Sequence, residues 1–435
     1  MRNTKRVIAV AMTALMLTTA ISVETPAEAA ALKLNKSKVD LKVGESVTLK
    51  VTKGSKKYTG KVTWKSSDKK VASVTAKGKV TAKAAGKSTV TAKVKKKTLK
   101  CAVTVTAKPA STPLTKFWSA DATAAKSLRD YVTKVTNEND PENYIPKADR
   151  IAVFDMDGTL TCETFFTYFD TMMFIEYCLK DHPDKVSEEI KKAAEEIKPG
   201  YTAGEDLARN FAKAYAGMTV KELHDYAVEF GMKNTDSFNN MTYFDGFYLP
   251  MVEVVKYLYD NGFTIYVVSG TERTTTRTIV EHSPIAEYVS PSHIIGSEFE
   301  VKIKGHETTA SNMDYKYVDG DELVFTGGFI QKNLNANKSI WIDREIGQRP
   351  VLAFGNSGSD TSMMNYVIDK RNPYPTQAYM VVADDSVRDW GTQDWEKKSA
   401  EYSAQGYVPI SMKNDFVQIY KDGITKNENR DSAAA

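Results

Sequence analysis

Between residues 32 and 107 the chain alternates polar and apolar positions in short runs separated by Gly, Lys and Asp. Val47-Thr48-Leu49-Lys50-Val51, Lys61-Val62-Thr63-Trp64-Lys65 and Ser88-Thr89-Val90-Thr91-Ala92 each repeat every second residue, so one side can be buried while the other meets water. Such runs at regular spacing predict a small β-sandwich, with Trp64 turned inward as a core anchor. Beyond residue 117 the pattern changes. Residues 121–135 carry Ala125, Leu128, Val132 and Val135 on one helical side. Ile151-Ala152-Val153-Phe154, Ile265-Tyr266-Val267-Val268 and Val351-Leu352-Ala353-Phe354 are apolar throughout, as expected of central parallel strands covered on both faces. Helical periods at 251–259 and 274–281 supply the crossovers. Further helices are expected at about 165–179, 187–197, 204–215 and 220–231, and a β-hairpin at 301–329.

The 435 residues exceed one ordinary domain. Apolar residues make up 42% and charged residues 26%, which excludes disordered and collagen-like chains. The net charge of +4 conceals an asymmetry. Residues 31–108 carry 22 lysines against Asp40, Glu45 and Asp68, a net of +19. The first 30 residues carry +1, which leaves −16 for the remainder. So uneven a split argues for separate units with different partners. Three cysteines (Cys101, Cys162, Cys178) are too few for a disulfide framework or a thiolate zinc site, and the five histidines show no metal spacing.

Residues 1–29 read as a signal peptide: a basic start, an apolar stretch from Val7 to about Val23, and Ala27-Glu28-Ala29 as cleavage site. A retained anchor is the competing reading, with an apolar stretch at the lower limit for spanning. Cleavage would leave a secreted or cell-surface protein with no membrane span. Residues 108–117 form a linker around Lys-Pro-Ala-Ser-Thr-Pro, 118–426 the second domain, and 427–435 a polar tail.

Each apolar run of the second domain ends in a polar turn containing glycine. The turns are Asp155-Met156-Asp157-Gly158-Thr159, Ser269-Gly270-Thr271 and Gly355-Asn356-Ser357-Gly358-Ser359-Asp360. In open α/β sheets ligands bind at the carboxyl ends of strands, where the three would gather. Two aspartates two residues apart can attack an electrophile and handle a proton. A Ser-Gly-Thr turn can hold phosphate oxygens. Carboxylate and amide oxygens suit Mg2+ better than zinc. Lys338 could neutralise the phosphate.

The N-terminal segment, from Val62-Thr63-Trp64-Lys65-Ser66-Ser67-Asp68 through Ala85-Gly86-Lys87-Ser88-Thr89-Val90-Thr91, resembles the group 2 bacterial immunoglobulin-like domain. That family serves as a spacer or adhesive module. Its charge here would attract an anionic cell-wall polymer, or only keep a spacer solvated; no specific nucleic acid is implied. The motifs Asp155-x-Asp157-Gly158-Thr159, Ser269-Gly270-Thr271, Lys338 and Gly355-Asn356-x-x-x-Asp360 resemble the haloacid dehalogenase superfamily, in particular its phosphoserine-phosphatase-like hydrolases. The resemblance implies an α/β Rossmann-like parallel-sheet domain, following the all-β immunoglobulin-like sandwich and carrying an inserted helical cap at about 163–245.

By the same resemblance Asp155 is the nucleophile, Asp157 the acid and base, and Ser269, Gly270, Thr271 and Lys338 bind phosphate. Asp155, Asp157, Asn356 and Asp360 hold Mg2+. Two departures stand out. Asn356 occupies a position where the family often has Asp, and Glu163 follows the nucleophile by eight residues, where a substrate glutamate would follow by nine. The implied substrate is a small phosphorylated metabolite, with Glu163 and Arg209 as substrate contacts. Arg209, the one arginine of the cap, could instead make a surface ion pair, and Arg273 and Arg277 could face either the site or solvent. An inactive hydrolase domain on a wall-binding protein and a phosphotransferase are the alternative functions.

Overall fold

The computed structural model describes residues 31–106, 114–163, 168–198 and 204–430. The expected signal peptide, most of the linker, Phe165, Phe166 and the last five residues lie outside these. Two compact units divide after residue 109.

The first unit is all β. Its four-stranded sheet orders Lys38–Lys42, Lys97–Thr106, Gly86–Val94 and Thr63–Ser66, beside a three-stranded sheet of Ser46–Thr48, Lys79–Ala82 and Ala72–Val74. The core is small and aliphatic: Val39, Leu41, Leu49, Val80, Val90 and Val103. Trp64 is half-buried, and its ring lies beneath Gly78, where an added Cβ would come within 2.9 Å of the indole. The run 47–51 is not one strand. Ser46–Thr48 pairs with Lys79–Ala82, whereas Val51–Lys53 pairs with Leu32–Leu34 in a further sheet. Alternation survives the change because Leu49 stays buried while the backbone exchanges partners, its N–H going to Gly78 O at 2.9 Å.

The second unit is built on a seven-stranded, mostly parallel sheet. Its strands are β1 (Ile151–Phe154), β2 (Thr264–Glu272), β3 (Ile294–Ile303), β4 (Leu323–Gln331), β5 (Leu352–Gly355), β6 (Gln377–Val382) and β7 (Val408–Ser411). Their order is β4-β3-β2-β1-β5-β6-β7, with only β3–β4 antiparallel. The chain winds outward from β1 through β2 and β3, then returns to β5 on the other side. β1 is thus where strand order reverses, the usual crevice for a ligand. Every residue of β1 and β5 is buried, and Phe154 stacks on Phe354 at 4.3 Å, which explains the unbroken apolar runs.

Helices flank the sheet: α1 (Thr123–Thr136), α6 (Leu249–Asp260), α7 (Arg273–Glu281), α8 (Ala336–Ile346), α9 (Thr361–Ile368) and α10 (Trp395–Ala404). Between β1 and β2 lies the cap, with α2 (Phe169–Glu176), α3 (Glu188–Glu195), α4 (Glu205–Ala214) and α5 (Val220–Gly231). Ser187 caps α3, and a reciprocal Thr219–Glu222 box opens α5, satisfying N–H groups with no helical partner. Phe169, Phe174, Phe211 and Phe230 pack against one another as cap core. Among the described residues no helix is long and apolar enough to cross a membrane. Cys101, Cys162 and Cys178 are buried.

Candidate active site

The Asp155 amide donates to Phe354 O at 2.9 Å, so the first acidic turn continues the β1–β5 ladder. Gly158 then reverses the chain with φ of +80°, its N–H reaching Thr161 O at 2.7 Å. A side chain there would be strained in backbone and would also meet Asn356 Nδ2 at 2.0 Å. Asp155 is thereby held at the end of β1, buried.

Lys338 enters from the first turn of α8 and is fully buried. Its ammonium donates to Asp155 Oδ1 at 2.5 Å, Asp360 Oδ1 at 2.7 Å and Val268 O at 2.9 Å. One lysine thus ties together the ends of all three motif strands. Asp360 uses its other oxygen to accept the Asn356 and Ser357 amides at 3.0 and 3.1 Å, so its carboxylate shapes the third turn. From β2, Thr271 donates its hydroxyl to Asp157 Oδ2 at 3.0 Å. Ser269 is buried, its hydroxyl accepting the Thr271 amide at 3.0 Å, and Gly270 O accepts from Ser297 at 2.6 Å. Ser269, Gly270, Thr271 and both aspartates therefore form one cluster with Lys338, Asn356 and Asp360.

Glu163 joins it. Its carboxylate accepts from Asn356 Nδ2 and, at 2.6 Å, from the Tyr168 hydroxyl. Asn356 Oδ1 lies 3.4 Å from Thr159 Oγ1, which lies 3.3 Å from Asp155 Oδ2.

Arg209 stands apart. It pairs with Glu205 one turn earlier on α4 and lies over the Phe329 ring at 4.5 Å, half exposed. Arg273 is held by Glu298 and Glu345, and Arg277 donates to Pro291 O at 3.0 Å, so both serve packing between α7 and its neighbours. Asp384 accepts from Ser411 and from the Lys413 amide, and Asp385 from the Val387 and Arg388 amides, both in turn-forming roles.

One residue escaped the motif reading. Lys332, just past β4, is 9% exposed and lowers the proton affinity of Asp157. Its Cε lies 3.9 Å from where a Cβ on Gly270 would stand. The only trace in the sequence is a lysine closing a strand six residues before Lys338.

Burial governs the proton affinities. It pushes the Asp155 carboxyl up to about 8, with Asp360 adding to the rise and Lys338 opposing it. Asp157 is raised to about 7, by burial and then by Asp170. Glu163 is raised to about 8, by burial and by Asp155 and Asp157 against the Tyr168 hydrogen bond. Burial works against the charge of Lys338, but Asp155 and Asp360 outweigh it and hold the ammonium above its ordinary value. Hence the cluster holds more buried carboxyls than Lys338 alone pairs with, and it is lined with oxygen. Such a donor set suits a hard cation that keeps several waters. Among the described residues no group of three His, Cys, Asp or Glu side chains forms a metal cage; a cation here would draw on Asp155, the Asn356 amide oxygen and the Asp157 main-chain carbonyl.

Beside Asp157 lies a cavity of about 20 Å³, bordered by Thr161, Phe169, Thr235, Met241, Tyr243 and Ile279. The Thr235 hydroxyl is buried there without a hydrogen-bond partner among the described residues. Among the described residues no cationic side chain lines it.

Residues 29–105 match the model of the bacterial Ig-like domain (group 2), and residues 152–365 that of the haloacid dehalogenase-like hydrolases. No curated protein matches the chain. Among solved structures, a conserved protein of unknown function from Anaerococcus prevotii is 13% identical, with 70% of this chain and 97% of that one covered at a TM-score of 0.44. Cytosolic 5'-nucleotidase IIIB bound to cytidine is 11% identical, covering 67% and 86% at 0.38. A phosphoserine phosphohydrolase-like protein from Francisella tularensis is 16% identical, covering 53% and 87% at 0.30. Likeness at this level carries no substrate across. The chain is an enzyme with a haloacid dehalogenase-like hydrolase domain, preceded in sequence by a bacterial immunoglobulin-like domain of group 2.

Proposed function

We propose that the chain is an exported, Mg2+-dependent phosphomonoester hydrolase that works through an aspartyl-phosphate. The observation that carries this reading is the single buried ammonium of Lys338 shared by Asp155 and Asp360 at the point where strand order reverses. It leaves Asp155 positioned and charge-compensated for attack on phosphorus.

In the first step an Asp155 carboxylate oxygen bonds to phosphorus in line with the ester oxygen, the P–O bond to the alcohol breaks, and Asp157 gives its proton to the departing oxygen. A carboxyl raised to about 7 is suited to donate near neutrality and then to accept. In the second step Asp157 takes a proton from water, the water oxygen bonds to phosphorus, and the bond to Asp155 breaks, releasing inorganic phosphate. Thr271 orients the Asp157 carboxyl throughout. Ser269 and the main chain of Gly270 would hold phosphate oxygens, with Lys338 and Lys332 offsetting their charge. Bound Mg2+ would supply further positive charge to the transferring group.

The cavity beside Asp157 marks the leaving-group side. It is too small for a metabolite, so admission requires the cap to shift, as lids over such sites do. With no cation at its wall among the described residues and Arg209 engaged on the cap surface, a leaving group bearing a carboxylate finds no partner among them. This favours a small uncharged alcohol over serine. The test is phosphate release by the full chain from a panel of phosphomonoesters, with Mg2+ or with chelator. Release that requires Mg2+ supports the reading. Phosphoryl transfer to added alcohols would make the enzyme a transferase, and silence across the panel with folded protein would favour a binding module.

Export rests on the leader composition of residues 1–29 and on the immunoglobulin-like domain. The partner of that domain follows from its charge. Its four-stranded sheet exposes Lys38, Lys42, Lys65, Lys87, Lys93 and Lys100 on one face, with Asp40 as the single acid, paired to Lys38. No aromatic ring stands among them for a base to stack on, which favours an anionic wall polymer over nucleic acid. Binding of the full chain to a glycerol-phosphate polymer should fall about 10-fold or more between 50 and 200 mM salt, and further on changing Lys65, Lys87, Lys93 and Lys100 to Thr. Failure to bind at 50 mM would leave the lysines as a solvating surface only.

A further inference from the structure

We propose that Glu163 is a positioning carboxyl of the cation site, orienting the Asn356 amide and supplying the carboxyl that Asn356 lacks, and not a substrate contact. The inference rests on the Mg2+ reading above. An asparagine can present either oxygen or nitrogen to a neighbour, and only the oxygen can ligate a cation. Here Glu163 accepts the Asn356 Nδ2 hydrogen, which leaves Oδ1 on the side of Thr159 and Asp155. The amide is thereby oriented for the role a carboxylate would otherwise take.

Charge follows the same logic. An aspartate at 356 would set its carboxylate against that of Glu163, with Asp155 and Asp157 close by, in a buried site. With Asn there, the pair brings one carboxyl to the site, the same number as a lone aspartate. Glu163 also has no counter-charge of its own: among the described residues no lysine or arginine pairs with it, Lys338 being taken by Asp155 and Asp360. Its second oxygen is fixed by the Tyr168 hydroxyl. The pair packs directly on the catalytic turn, since a Cβ on Gly158 would fall 2.0 Å from Asn356 Nδ2 and 2.4 Å from the Glu163 carboxyl carbon. A residue that must reach a substrate alcohol would be expected to point an oxygen outward; both of these point into bonds within the site. Carboxylates behind a ligand typically contribute tenfold to a hundredfold to metal affinity.

The experiment is a calorimetric titration of the full chain with Mg2+, without substrate. Glu163→Gln should weaken Mg2+ binding about 10- to 100-fold, and Glu163→Gln with Asn356→Asp should bring it back to within a few-fold of wild type. At saturating Mg2+ the KM of Glu163→Gln should stay near that of wild type. Unchanged Mg2+ affinity with a raised KM would overturn the proposal and return Glu163 to the substrate. Should Glu163→Gln fail to fold, Asn356→Asp alone decides: it should melt below wild type in chelator and gain more from Mg2+, and equal melting in chelator counts against the proposal. If wild type itself binds no Mg2+, the cation reading fails first, and this inference with it.

Discussion

Asp155→Asn is expected to reduce phosphate release by on the order of 10⁴-fold or more, with the protein still folded. The substitution keeps the shape of the side chain and its place at the end of β1, where the backbone is held by the Phe354 carbonyl. An amide oxygen can still accept from Lys338, and Asp360 continues to satisfy that ammonium at 2.7 Å. What disappears is the nucleophile: an amide cannot form the acyl-phosphate, so the reaction loses its covalent route and not merely one contact. Stability should change little, because the variant also removes a carboxyl that burial already disfavours as an anion. The measurement pairs steady-state rates with thermal unfolding, and adds acid-quenched mass analysis of the turning-over wild type. A phosphoryl group should appear on the peptide containing Asp155 and be absent in the variant. Activity within tenfold of wild type would mean that water attacks directly and that Asp155 only binds.

Lys338→Met should be the most destabilising single change in the catalytic cluster, at about 3–5 kcal/mol, and should also abolish turnover. Methionine matches the stem in length, so packing around α8 is largely retained. The loss is electrostatic: Asp155 and Asp360 would face each other across a dry site with no cation. The pH dependence identifies this cause. Lys338 is held above its ordinary value and is charged throughout pH 5–8, so in wild type its contribution is constant over that window. In the variant Asp155, already raised to about 8 with the lysine in place, loses the group that opposed the rise. A carboxyl whose folded value lies above its unfolded value makes the folded state bind more protons, so stability falls as pH rises from about 4 toward 8. The deficit relative to wild type should therefore be larger at pH 9, where Lys338 is still charged, than at pH 6, because Asp155 ionises near 8 in wild type and stays protonated further up in the variant. Denaturant unfolding at the two pH values checks it. An equal deficit at both would assign the cost to packing.

These two residues also show how far a linear reading reaches. Asp155 could be located because local rules converge on it: an unbroken apolar run must be a buried strand, and a polar turn after such a strand faces the ligand end of the sheet. The cap helices followed for the same reason, since amphipathic period and capping residues are properties of a few consecutive positions; α3, α4 and α5 lie within a residue or two of their expected ranges. Where an outcome depends on which distant segment lies opposite, local pattern was silent. Residues 47–51 alternate as one strand should, yet their partners split between two sheets. Arg273 carries the same charge and spacing whether it meets substrate or Glu298 and Glu345, and only the packing of α7 decided for the glutamates.

Glu163 is the sharpest case. Eight residues past Asp155, its position in the chain suggests a substrate contact, and nothing within a turn of it reveals Asn356, 193 residues away. Periodicity and turn chemistry are written in neighbouring residues, and they determined the strands, the order of the motifs and the acids at their tips. Partnership between charged groups is a matter of through-space distance and of water excluded from between them. Only the folded sheet, by closing β1 against β2 and β5, decided which carboxylate shares Lys338 and which leans on an amide.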